Sequence, residues 1–245
     1  MRILPVDGLP EFAEGMSVGA EIAARVELED GDVLVVSQKA VSKVEGRVRS
    51  LASVLPGSEA RRLAAVLGKE PALVELILEE SREVLRAERD VLIVETHQGL
   101  VCANAGIDSS NLPEEGVVSL LPEDPDASAR RIRADAREAS GAGVAAIVAD
   151  SFGRAWRLGQ AEVAIGCAGL TPLDDWRGRA DAAGRPLKAT AIAIADEAAA
   201  AADLVRDKAS RQPAAIIRGL ERFVTEDDGP GAAALRRPAG EDLFR

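Results

Sequence analysis

The sequence has no tyrosine, one histidine (His97) and two cysteines (Cys102 and Cys167). Each scarcity removes a class of chemistry. With a single histidine and no Cys-x-x-Cys pair, the usual ligand sets for zinc are missing. A Ser/His/Asp hydrolase would have to use His97, yet the G-x-S-x-G elbow of such enzymes does not occur. A turn position before Gln98-Gly99 is the simpler reading of that residue. Each cysteine is set in an apolar, strand-like run, which suits a buried free thiol in a reducing cytosol better than a disulfide. Aromatic residues make up 2% of the chain, so platforms for base stacking are scarce. Trp156 and Trp176 lie among polar residues, where core packing is the first reading and a ligand wall the second. The Walker pattern and the Rossmann glycine fingerprint are both absent. No stretch approaches the ~18 consecutive apolar residues of a membrane span, and the Ala-rich stretch 189–202 is interrupted by Asp196 and Glu197. The opening MRILPVDGLPEF lacks the charged-then-apolar pattern of a secretory leader. The expected location is the cytoplasm.

What is present points to a globular fold. Over 245 residues, 47% are hydrophobic and 29% charged, enough to bury a core without disulfides or metal staples. Ala, Val, Leu and Ile must fill it. Acidic residues outnumber basic ones 41 to 30, for a formal net charge of −11. Such a surface repels a phosphate backbone, which argues against general nucleic-acid binding while leaving room for a local basic pocket that takes a small anion.

The run Asp32–Val36 reads as a buried strand after a Glu-Asp-Gly turn. Residues 58–68 and 71–87 read as a helical pair, the second carried by the stripe Leu73, Leu76, Ile77, Glu80, Val84. Val91–Glu95 and Leu100–Ala103 flank Gln98-Gly99 as a hairpin. Asp124-Pro125 opens a helix to about Ala139, closed by Gly141. Val144–Ala149 is expected as a strand stopping at Asp150. Val163–Ala168, Ala189–Ala195 and Ala214–Ile217 are further strands, with a helix over about 196–206. The mixture lacks a strict βαβ rhythm and favours an α+β fold with mixed sheets and flanking helices.

Three clusters carry potential chemistry. Asn104-Ala105-Gly106-Ile107-Asp108-Ser109-Ser110-Asn111 supplies a carboxylate with amides and hydroxyls after a strand, the material for a hard-cation site. The same residues make an Asx-rich turn, which is their commoner use. Asp150-Ser151-Phe152-Gly153-Arg154, continued by Arg157, puts a carboxylate and a hydroxyl at a strand end, with arginines able to grip phosphate or carboxylate; a helix cap with solvated arginines is the bland alternative. Ser37-Gln38-Lys39-Ala40-Val41-Ser42-Lys43 follows the Asp32–Val36 strand with two lysines suited to phosphates, or merely exposed to water. The turn Asp7-Gly8-Leu9-Pro10 joins a site only if the fold returns it there.

Taken in order, these stretches resemble the coenzyme F(420)-0:L-glutamate ligase family from near Pro5 to about Leu220. The resemblance is carried by VDGLP, by GDVLVVSQKAVSKVEGRV at 31–48, VCANAGIDSSN at 101–111 and ADSFGRAWRLGQAEVAIGCAGL at 149–170. It implies a GTP-dependent ligase of two lobes over residues 1–224; the Gly-, Pro- and charge-rich composition of 225–245 reads as a loosely ordered tail. Magnesium or manganese, with potassium, would be its metals, and a homodimer its assembly. It implies amide formation between a carboxylate of the deazaflavin precursor and glutamate through an acyl phosphate, with γ-linked extension as a further step. By matching motifs, Asp108 and Asp150 would be metal ligands with Ser151 beside them; with Asp108 and Asp150 in the catalytic set, Arg154 or else Arg157 would orient a substrate carboxylate or the precursor's phosphodiester. Leu9, Pro10, Glu11, Phe12, Gln38, Lys39, Lys43 and Asn111 would contact the nucleotide. The family's late nucleotide loop falls at about 205–212, where this chain has VRDKASRQ. Lys208 is its candidate contact, and Arg206 and Asp207 replace the small or apolar residues usual there. Some bacterial members add a nitroreductase-like domain; this chain is too short for one and is expected to act alone. A phosphotransferase on another acceptor and a non-enzymatic nucleotide-binding module are the competing readings.

Overall fold

Strand Asp32–Val36 shows none of the polar–apolar alternation of a half-buried strand, and its place in the fold explains this. The computed structural model describes residues 1–110, 112, 114–206 and 211–242. In it, β1 (Arg2–Pro5), β2 (Val33–Ser37), β8 (Ala145–Arg154), β9 (Arg157–Ala168) and β12 (Ala214–Arg218) form a five-stranded sheet in the order β1-β12-β2-β8-β9. The β2–β8 pair is parallel and every other pair in this sheet antiparallel. Both faces of the sheet are covered, so side chains on both sides of β2 must be apolar. Leu34 and Val36 share a buried cluster with Ile22 of α1 (Val18–Ala23) and with Ile132 and Ala136 of α5 (Pro125–Ser140). Val33 and Val35 face the other way, into a cluster with Ala195, Ala198, Ala199 and Ala202 of α6 (Ile194–Asp203). Alanine at those four helical positions lets α6 lie close to the sheet, which is how a core poor in aromatics is filled.

Between α2 (Gln38–Val44) and α5 the chain leaves this sheet. It forms α3 (Ser58–Leu67), α4 (Pro71–Glu79), the pair β3 (Val48–Ser50) with β7 (Val117–Ser119), and the three-stranded sheet β4 (Ser81–Glu88), β5 (Val91–Thr96), β6 (Val101–Ala103). These elements enclose their own buried side chains, among them Leu63, Leu67, Val74, Ile77, Leu92 and Val94. Two short strands, β10 (Asp174–Asp175) and β11 (Ala191–Ile192), pair between β9 and α6. The architecture is α+β, as the sequence pattern indicates.

Several boundaries match the sequence reading and several do not. Asp124 caps α5 by accepting the N–H of Ala127 at 2.9 Å, and Gly141 ends the helix at a φ of 78°. The hairpin around Gln98-Gly99 forms as β5–β6. The second helix of the expected pair stops at Glu79, however, and Ser81–Glu88 is a strand paired with β5. The Ser81 hydroxyl turns back to the Ile77 carbonyl, closing the last turn, and the cross-strand pairing overrides the helical stripe that Val84 appeared to extend. Strand β8 does not stop at Asp150 but continues to Arg154 in a long hairpin with β9. The run Ala189–Ala195 shortens to the two residues of β11, with α6 starting at Ile194.

Beyond Val224 the chain is pinned to α5. The Arg133 guanidinium donates to the carbonyls of Thr225 (2.8 Å) and Glu226 (2.9 Å) and to the Asp228 carboxylate (2.7 Å). Asp126 accepts the N–H groups of Cys167 (2.9 Å) and Ala232 (2.7 Å).

Helices α1 and α5 cross at Gly19, where a Cβ would lie 2.2 Å from the Ile132 carbonyl oxygen. In an uncrowded helix, Gly→Ala stabilises by ~0.5–1 kcal/mol. Here the added methyl meets backbone, and Gly19→Ala is expected to destabilise by about 2 kcal/mol instead. Urea denaturation followed by far-ultraviolet circular dichroism gives the sign; a stabilised variant would disprove the close crossing.

Candidate active site

The parallel ladder between β2 and β8 ends where Ser37 stands opposite Ala149; β2 stops there, while β8 runs on paired with β9. Gln38 and Lys39 follow the first strand end, and Asp150 follows Ala149 on the second. Residues far apart in sequence therefore meet at one edge of the sheet, where α/β folds gather ligands. The segment after β6 closes over this edge. Asn104, Ala105 and Gly106 all have positive φ, at 52°, 53° and 68°. At Gly106 any side chain is disfavoured twice, by the left-handed φ and by a Cβ that would lie 2.7 Å from the Leu121 side chain. The resulting sharp turn delivers Asp108 to Lys39.

The Lys39 ammonium lies 2.7 Å from Asp108 Oδ2 and also donates to the carbonyl (2.6 Å) and hydroxyl (2.8 Å) of Ser110. Asp108 Oδ1 accepts the N–H of Ser110 at 2.7 Å. That last contact is an Asx-turn, so the turn reading of this motif is realised within the charged cluster. Burial alone would raise the Asp108 carboxyl, but the Lys39 and Ser110 bonds outweigh it and hold the group below the ordinary carboxylate range.

Asp150 behaves oppositely. It is closely surrounded while keeping partial solvent access, and its carboxyl is pushed up to about 6. Desolvation is the main cause, with the charges of Glu162 and Asp108 adding to it and the Ser151 N–H and Lys39 opposing. Asp150 thus lies beside the Lys39–Asp108 pair with no cation bonded to it among the described contacts, and Glu162, on the opposite face of the sheet and held by Arg206, adds to an excess of negative charge here.

That excess is the condition under which a hard divalent cation is held. Among the described residues no group of three or more His, Cys, Asp and Glu side chains forms a metal cage. Asp108 and Asp150 alone still fit magnesium or manganese, because such ions commonly take one or two carboxylates and complete their shell with water and phosphate oxygens. Ser151 is placed differently. Successive strand residues face opposite sides: Asp150 stands across from Val163, while Ser151 stands across from Glu162, with its Oγ 3.4 Å from Glu162 Oε1.

The remaining candidates divide into near and far. Lys43 pairs with Glu11, which brings the segment Leu9–Phe12 against α2. Leu9 packs on the main cluster and Phe12 is buried in it, leaving Pro10, Glu11 and the backbone as the accessible part. Gln38 is buried, its Oε1 accepting the Ser42 hydroxyl at 2.9 Å. Arg154 lies well away from Asp150, about 13 Å further along β8 at the ~3.3 Å rise of a strand. Its guanidinium closes the β8–β9 turn on the carbonyls of Leu158 (2.6 Å) and Gly159 (3.3 Å), and Arg157 lies at the same tip. Asn111 and Lys208 lie outside the described residues. His97 bonds the Glu79 carbonyl at 2.9 Å, a turn residue as its sequence context indicates. One buried charged residue escaped the sequence reading: Glu162, the lone charge in an otherwise apolar run; Arg206, read there only as a departure within the late loop, is buried against it. A single acid inside a strand-forming apolar stretch requires a partner, and that was the available signal for Glu162.

Fold and site together define an α+β protein with an acidic, lysine-flanked site at the ends of a parallel strand pair. The chain belongs to the F(420)-0:gamma-glutamyl ligase family, whose model matches residues 8–219. It is similar to the coenzyme F(420):L-glutamate ligase of Methanothermobacter thermautotrophicus, at 43% identity over 251 aligned positions covering 100% of this chain and 99% of the relative. It is likewise 43% identical to the protein of that name from Methanopyrus kandleri, over 100% of this chain and 98% of the relative. With its namesake from Methanocaldococcus jannaschii the identity is 39%, over 97% and 94% respectively.

Cys102 sits close enough to this site to feel Asp150. Desolvation chiefly, and then the Asp150 charge, push its thiol up to about 12; burial does the same for Cys167. Neither thiol should react with a neutral disulfide reagent at pH 8 while the protein is native, and both should react once it is unfolded in guanidinium. Rapid stoichiometric labelling of the native protein would contradict the burial.

Proposed function

We propose that this protein is a GTP-dependent ligase that joins L-glutamate by an amide bond to a carboxylate of coenzyme F(420)-0, releasing GDP and phosphate. The observation that carries the reading is the convergence of Lys39, Asp108 and Asp150 at the β2–β8 strand ends, in a chain that aligns end to end with relatives named for glutamate ligation. The proposal includes a homodimeric assembly in the cytoplasm, a requirement for magnesium or manganese with potassium, and further γ-linked glutamate addition.

The chemistry explains why such a site is needed. A carboxylate does not condense with an amine, because the departing oxide is too basic. Transfer of the GTP γ-phosphoryl group to the carboxylate gives an acyl phosphate and GDP. The glutamate amine then attacks the acyl carbon, the C–O bond to phosphate breaks, and amide, phosphate and a proton result. Asp108 and Asp150 would hold the divalent cation, which when bound supplies neutralisation of phosphate charge. Lys39 and Lys43 contribute fixed positive charge beside the phosphates. The Lys39–Asp108 and Lys43–Glu11 pairs keep both ammonium groups localised until an anion arrives. Leu9 to Phe12 and the buried Gln38 shape the nucleotide side of the recess. Asn111 and Lys208 are proposed contacts of the same nucleotide; Ser151, whose side chain faces the other side of β8, is proposed to reach the metal through its backbone carbonyl, and Arg154, at the β8–β9 tip, is proposed to hold a part of the precursor remote from the reacting acid.

Incubation with F(420)-0, glutamate, GTP and Mg²⁺ should yield a product heavier by one glutamyl residue on mass spectrometry, with stoichiometric GDP. Glutamate-independent GDP release with no such product would defeat the proposal. Asp108→Asn and Asp150→Asn should each lower turnover by roughly a hundredfold or more, weaken Mn²⁺ binding in calorimetry and leave the circular dichroism spectrum unchanged. A fully active Asp150→Asn protein would remove that residue from the site. Lys43→Ala should raise the KM for GTP by roughly tenfold, and an unchanged KM would remove Lys43 from the nucleotide.

A further inference from the structure

The chemistry above leaves one buried charged pair unused. Arg206, just beyond α6, and Glu162, on β9, are both buried, and Arg206 Nη2 meets the Glu162 carboxylate directly. Two charges removed from water together add little to stability once desolvation is counted, and an apolar pair of similar volume often serves as well. Their presence therefore asks for a second reason, and their neighbours supply one.

Arg206 Nη1 donates to the carbonyl oxygen of Pro213 at 3.3 Å. The same oxygen accepts the backbone N–H of Ser37 at 2.8 Å, and Ser37 immediately precedes Gln38 and Lys39. On its other side the guanidinium holds Glu162, which stands opposite Ser151 in the β8–β9 ladder and takes its hydroxyl at 3.4 Å. Ser151 immediately follows Asp150. Next to Pro213, the Gln212 side chain meets Asp7, two positions before Leu9. One guanidinium therefore ties together the start of β12, the turn that carries Lys39 and the ladder that carries Asp150.

We infer that Arg206 is a positioning residue: through Glu162 and Pro213 it fixes the spacing between the Lys39 turn and the Asp150 strand, and so sets the affinity for a nucleoside triphosphate. The inference rests on the functional reading above.

The test compares the unsubstituted protein with the double variant Arg206→Met/Glu162→Leu, which removes both charges at once and leaves neither buried alone, and with Glu162→Gln, which keeps shape and hydrogen bonding. Equilibrium binding of a fluorescent, non-hydrolysable GTP analogue with Mg²⁺, the KM and kcat for GTP, and the thermal midpoint are measured for all three. The double variant should bind the analogue at least tenfold more weakly, with a matching rise in KM, a kcat within threefold and a thermal midpoint within a few degrees. Glu162→Gln should show the same split at about fivefold, and it decides the matter should the double variant fail to fold. Folded variants with unchanged analogue affinity and KM would overturn the positioning role while leaving the functional reading intact. Failure of the unsubstituted protein to bind the analogue would overturn the functional reading, and this inference with it.

Discussion

The parallel ladder between β2 and β8 is the constraint on which the rest of the molecule depends. A parallel pair needs a long crossover between its strands, and here that crossover holds α2, all the elements from β3 to β7, and α5. The pairing aligns Ser37 with Ala149 as its last rung, so the residues that come next on each segment lie at the same edge. Lysines follow one and an aspartate the other. The intervening elements are large enough to reach back over that edge with the turn that bears Asp108. A shift of one residue in this register would turn the apolar set of β2 to the wrong faces and separate Lys39 from Asp150 together.

Electrostatics at this edge is an unbalanced arrangement held in place by packing. Asp108 is matched by Lys39, and Glu162 by Arg206, while Asp150 has no cation bonded to it among the described contacts and carries the desolvation cost. Matched pairs on either side of an uncompensated carboxylate mark a place where an added positive ion lowers the free energy of the whole group.

Much of the fold was readable from the residues, and the limits of that reading have physical causes. The cap at Asp124, the stop at Gly141 and the buried strand at Asp32–Val36 are decided by local chemistry and appear as expected. Ser81–Glu88 does not, because its strand state comes from pairing with β5 rather than from its own pattern. The candidate residues Asp108, Asp150 and Lys39 are singled out only by the wording of whole motifs; their individual sequence contexts are those of ordinary loop and strand residues. That Ser151 and Asp150 face opposite sides of the sheet follows from β8 continuing past the point where its apolar run ends. Arg206 was visible only as a departure, and its tether to Glu162 requires a contact between elements that no local pattern encodes.

The aliphatic packing of the main sheet has a consequence for how this protein reports on itself. Among the described residues its buried clusters hold Phe12 and Phe223, with Phe152 packed against the first, whereas Trp156 is 80% exposed at the β8–β9 tip and Trp176 lies in the β10–β11 excursion with its indole N–H on Asp174. With no tyrosine in the chain, the emitting chromophores sit at the periphery while the interior is almost dark in the near ultraviolet. Intrinsic fluorescence would thus follow the motions of two outlying segments, and the integrity of the core is a matter for backbone and heat-capacity signals.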